Sequence, residues 1–167
     1  MANDYTSVTN TLLSELTSGL ASGWSPLEIE RRQWDAGKLP DFEKYLIIIS
    51  APLNNAWEER VIGVRNFQYI LQIDLYLLVK NFDDKLSVFG DTAPNKGIFE
   101  LVSDVKDLLR TSNLGGLLDK TYSEPAGPLS IEYAAAAGFD SGEHSFIRRA
   151  KLVYTARTAA FCWPVTL

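Results

Sequence analysis

Apolar residues recur at every second position from Phe67 through Tyr69, Leu71, Ile73, Leu75 and Leu77 to Val79, a period that belongs to an extended strand and not to a helix. The interleaved Gln68, Ile70, Gln72, Asp74, Tyr76, Leu78 and Lys80 are mixed in character. The pattern therefore predicts one long strand with a dry face and a half-wet one. Its reach is more than twice the usual ~5–6 residues, so part of it is expected to project beyond the core of a small domain, as scaffold and assembly edge together. Leu71, Ile73 and Leu75 are expected under helices, and Gln72, Asp74 and Tyr76 near solvent or a subunit boundary.

Two stretches carry a helical period instead. Val8, Leu12, Leu13, Leu16 and Leu20 mark an amphipathic helix over about residues 4–21, with Asn3 or Asp4 as its cap and Gly19 with Gly23 at its end. Ile98, Leu101, Val102, Val105, Leu108 and Leu109 form the stripe of a second helix, capped by Thr92 or Asn95 and stopped by Asn113, Gly115 and Gly116. Its acidic residues Glu100, Asp104 and Asp107 fall off that stripe and are expected to face water. Tyr45 to Ile49 is a continuous apolar run, expected as a short strand buried on both faces. Trp57 to Val64 reads as another, joined to the long strand through Arg65 and Asn66 either as a hairpin or as a bulged continuation.

Between these elements, residues 22–43 combine Trp24, Pro26, the charged run Glu28 to Arg32, Trp34, Gly37 and Pro40. They are expected as an irregular insertion holding at most a turn of helix, with the tryptophans either anchoring an interface or folding back over a small core. Residues 81–95 are expected as a loop. The last third predicts strands over about 117–124, 129–135 and 145–161, with turns at Pro125 to Pro128 and Gly138 to Gly142, then a C-terminal tail over 162–167. The order helix, strands, helix, strands gives an α+β fold: one domain over 1–167, an antiparallel or mixed β-sheet with two amphipathic helices packed on one face.

Composition narrows the function. The chain has 167 residues, 46% hydrophobic and 22% charged, enough for a full core and unlike a disordered chain. No apolar run is long enough to span a bilayer, and the N-terminus lacks the flank and h-region of a secretory signal, so assembly in the cytoplasm is expected. One cysteine, Cys162, excludes an internal disulfide, and one histidine, His144, leaves no Cys/His cluster for zinc. The net charge of −5 argues against a general nucleic-acid binder. The charge is unevenly placed: from Phe146 to Leu167 there are Arg148, Arg149, Lys151 and Arg157 and no acid. A basic end and an acidic body attract each other between subunits, or form one solvated strand face.

Chemistry is sparse. His144 lies between Glu143 and Ser145, but adjacent side chains of an extended segment point to opposite faces and form no relay. The carboxylate pairs Asp83 and Asp84, Glu58 and Glu59, and Asp104 and Asp107 read as solvated surface pairs rather than an acid and base held across a cleft. Asp83, Asp84 and Asp91 lack the spacing of an EF-hand loop, and no phosphate-binding glycine motif occurs. No catalytic residue, metal or cofactor is expected. The basic strand's aromatic neighbour Tyr154 shares the apolar face with Leu152, opposite the cations, which argues against a base-stacking platform.

The element order resembles the tail-terminator and tail-completion proteins of long-tailed bacteriophages. The resemblance covers most of the chain: the helix of Thr6 to Leu20, the strand of Tyr45 to Ile49, the long strand Phe67 to Val79, the helix Ile98 to Leu109 with its exit Asn113, Leu114, Gly115 and Gly116, and the terminal strands from Arg148 to Phe161. It implies a structural virion protein of the tail and neck, a homo-hexameric ring that caps the tail tube and joins it to the head connector. The implied partners are further copies of the chain, the tube protein, the connector and, in a contractile tail, the sheath, with DNA only as passing cargo and no membrane. Under this reading Arg148, Arg149, Lys151, Arg157, Asp83, Asp84 and Trp163 are the expected subunit or partner contacts. The alternatives are a head-tail connector or stopper, and a small hydrolase using His144.

Overall fold

A computed structural model describes residues 5–34, 38–50, 57–63, 66–91, 95–112, 114, 127–135, 145–157 and 161–162. The chain runs α1 (Tyr5–Leu20), β1 (Leu27–Arg31), β2 (Tyr45–Ser50), β3 (Trp57–Gly63), β4 (Asn66–Asn81), α2 (Asp84–Phe89), α3 (Ile98–Arg110), β5 (Ser130–Ala135), β6 (Phe146–Arg157) and β7 (Phe161–Cys162). The fold is α+β, as expected from the pattern. One sheet in the order β1-β2-β4-β6-β5 forms its frame, with β3 and β7 also on β4. It is mixed: β1 runs parallel to β2, and the other pairs are antiparallel.

The alternating segment is β4, 16 residues long, and it is the central strand. On one side it pairs with β2 over Asp74 to Val79 and with β3 over Asn66 to Leu71; on the other it pairs with β6 from Ile70 to Asn81 and with β7 at Asn66 and Phe67. The expectation of an assembly edge is therefore corrected, because other strands pair with it on both sides over most of its length. Its length serves two successive partners on each flank. Of the two readings for Trp57 to Val64, the antiparallel hairpin is the one formed, with a register shift between Val61 and Gly63.

The dry face of β4 works as the period dictates. Leu71, Ile73, Leu75, Leu77 and Val79 join Tyr45, Ile47 and Ile49 of β2, Ala150 and Leu152 of β6, the α1 residues Val8, Leu12, Leu16 and Leu20, and the α3 residues Ile98, Leu101, Val102 and Val105 in one buried core. Both long helices thus lie on one face. They meet closely at Gly19, where an added Cβ would stand 2.6 Å from the Leu108 methyls. At its start α3 is capped by Gly97, whose N–H donates to Glu100 Oε1 at 3.4 Å, rather than by Thr92 or Asn95. Leu114, at φ 49°, is buried in the same core just after the helix.

The segment 22–43 is not an irregular insertion. It contains β1 and the connection that a parallel β1–β2 pair demands, since parallel neighbours cannot be joined by a tight turn. Leu27 and Ile29 pack against the helix-side core, but Glu28 and Glu30 between them dilute the alternation that would have marked a strand. The connection places Trp34, Phe42 and Leu39 on the opposite face, over Leu46 and Ile48 of β2, Tyr76 and Leu78 of β4 and Ile147 of β6. Two further expectations change. Residues 81–95 hold the short helix α2, and Cys162, assigned to a tail, belongs to β7 opposite Asn66. The expected strand over 117–124 and the turn at Gly138 to Gly142 lie outside the described residues.

Candidate functional site

The basic strand β6 lies beside β4, with Lys151 opposite Tyr76, Arg149 opposite Leu78 and Arg148 opposite Val79. Alternation then divides its cations between the faces. Lys151 and Arg149 project to the second face, and Arg148 to the helix side, where it pairs with Asp84 of α2. Lys151 Nζ stands 3.2 Å from Asp74 Oδ2 and 5.5 Å from the centre of the Tyr76 ring. Gln72 Nε2 donates to the other Asp74 oxygen at 3.3 Å. Burial acts to lower the Lys151 pKa, but the hydrogen bond and charge of Asp74, with a contribution from Tyr76, outweigh it and hold the ammonium above its usual 10.5.

Asp74 and Tyr76 thus occupy a different place from the one their polarity predicted. Asp74 is 4% exposed and Tyr76 6%. Tyr76 is covered by Trp34, whose ring meets it edge-on at 4.7 Å, whose backbone N–H donates to Ser50 Oγ at 3.1 Å, and whose indole N–H donates to the Lys38 carbonyl at 2.9 Å. Gln72 alone of the three stays half-buried. Of the two readings of the tryptophans, both act as lids over core. Trp24 donates through Nε1 to Asp104 Oδ2 at 2.9 Å and stands edge-on to Tyr45 at 4.8 Å. Asp104, expected in water, is therefore a tether between α3 and the segment after α1, helped by Lys96 at 3.7 Å. That tether was hidden because it joins residues remote in sequence.

The acidic pair in the loop after β4 is also engaged. Asp83 Oδ1 accepts from Leu86 N at 3.1 Å and so caps α2, while Asp84 holds Arg148. Both stay at the surface, as the solvated-pair reading expected, but each has a partner there: a backbone N–H of α2 for Asp83 and Arg148 of β6 for Asp84. Arg149 is half-exposed and makes no ion pair among the described residues; its Nε is buried without a hydrogen-bond partner. Arg157 ends β6 opposite Ile70. His144 and Trp163 lie outside the described residues. The proposed contact residues therefore form no single cluster: Asp83, Asp84 and Arg148 lie together at α2, and Arg149 and Lys151 sit on the other face.

At the end of the sheet where β4 runs out, a groove of about 760 Å³ opens between Glu28, Asp41 and Glu43 on one hand and Lys44 and Lys80 on the other, with Phe82 among its lining residues. It shows both signs of charge, and Ser145 also lines it. Among the described residues no three acidic, histidine or cysteine side chains gather as metal ligands, and no helix is long and apolar enough to cross a membrane. Tyr154, on the helix side of β6, has a buried hydroxyl without a partner, and burial pushes its pKa up to about 12. Comparison with protein families and with curated proteins found no matching family and no matching protein.

Proposed function

We propose that this chain is a structural protein of a phage tail, a ring-forming tail terminator that caps the tail tube and joins it to the head connector in the virion. The observation that carries the reading is the arrangement around β4: one long central strand flanked twice on each side, two amphipathic helices on one face, and terminal strands returning along it. The resemblance rests on the order helix, buried strand, long strand, helix and terminal strands, and this arrangement keeps that order with β1 and α2 added. Asp83, Asp84 and Asp74 are engaged by a helix N-terminus, by Arg148 and by Lys151, which supports a role for these carboxylates in shape and contact.

In this reading partners are further copies of the chain, the tube and the connector. Charge steers docking more than it adds affinity, and among the described side chains of the basic strand that duty falls to Arg149. Arg148 and Lys151 are already committed to Asp84 and Asp74. Electron microscopy of the purified protein, alone and mixed with polymerised tail tubes, tests the reading. Rings and capped tubes are expected. Protein that stays monomeric at high concentration and leaves tube ends bare would overturn it. Arg149→Glu is expected to weaken tube capping most at low salt, and capping indifferent to both salt and this change would remove the steering role.

A further inference from the structure

We draw no further inference here: the strongest candidate, the groove at the end of the sheet between the carboxylates of Glu28, Asp41 and Glu43 and the amines of Lys44 and Lys80, carries nothing because the chain next to its lining residues Asn95 and Ser145 lies outside the described residues and nothing in the structure shows what fills it.

Discussion

The two faces of the sheet are built by opposite means. The helix face is dry: Leu75, Leu77, Ile47 and Leu152 lie under α1 and α3, and local periodicity alone assigns each its place. The second face is closed by a connection with no helix or strand among its described residues, and it keeps a phenol beneath Trp34 and Phe42 with an ammonium and a carboxylate beside it. An apolar interior tolerates the loss of no volume, whereas a polar one tolerates the loss of no partner. The difference teaches where the chain is rigid by packing and where it is rigid by pairing.

Leu75→Ala should separate the faces most strongly. It removes a fully buried side chain from the helix face, and urea unfolding should show a loss of about 3–5 kcal/mol. On the second face Lys151→Met is expected to cost on the order of 2 kcal/mol, because it strands the Asp74 carboxylate, only 6% exposed, without its cation. Asp74→Asn should cost less than that, since Lys151 keeps 27% exposure and can turn to water. Equal losses from these two changes would contradict the pairing account. A double-mutant cycle reads the coupling directly.

Alkaline titration gives a smaller and more selective contrast. Tyr154 ionises at about 12 in the folded chain against an ordinary 10.0. Between those values the unfolded chain releases its proton first, so stability is complete below pH 10 and falls as pH rises toward 12. Lys151 acts in the same sense: its folded pKa lies above 10.5, so its contribution is present below that value and is lost as pH rises through the raised one. Tyr154→Phe should barely change stability at neutral pH, as its hydroxyl has no partner, and should remove part of the alkaline loss. Thermal melts from pH 8 to pH 12 check both statements, and an unchanged alkaline slope in Tyr154→Phe would break the assignment to this face.

Glycine offers the last contrast. Gly90 sits at φ 66° and ψ −173°, a region nearly closed to other residues, and an added Cβ would meet the Asn95 carbonyl oxygen at 2.7 Å. Gly90→Ala should therefore loosen the α2–α3 junction by about 1–3 kcal/mol. Gly19→Ala meets only the flexible end of Leu108 and should change stability by less than about 1 kcal/mol.

The fold was legible where one strong period ran uninterrupted. β2, β4, α1 and α3 follow from such runs, and β6 from its alternation of Ala150, Leu152 and Tyr154 with Arg149, Lys151 and Thr155. β1 escaped because two apolar residues among charges are too short a pattern. α2 escaped because it is short and its cap, Asp83, belongs to a residue type that also marks loops. Of the candidate contact residues, the grouping of Arg148 with Asp84 was invisible because 64 positions separate them. The contact of the exposed Phe89, Phe99 and Tyr133 was missed for a related reason: they belong to three elements, and each looked like an ordinary apolar residue of its own.

By itself the sequence determined the long strand, its dry face and the two helices that cover it, because nearest-neighbour periodicity fixes which side of an element an apolar residue takes. Only the tertiary structure decided the rest. It made β4 a central strand and not an edge, buried Asp74 beside Lys151 and Tyr76 beneath Trp34, and tied Asp104 to Trp24. Each of those outcomes depends on a partner remote along the chain, and a polar residue's burial is set by whether such a partner arrives.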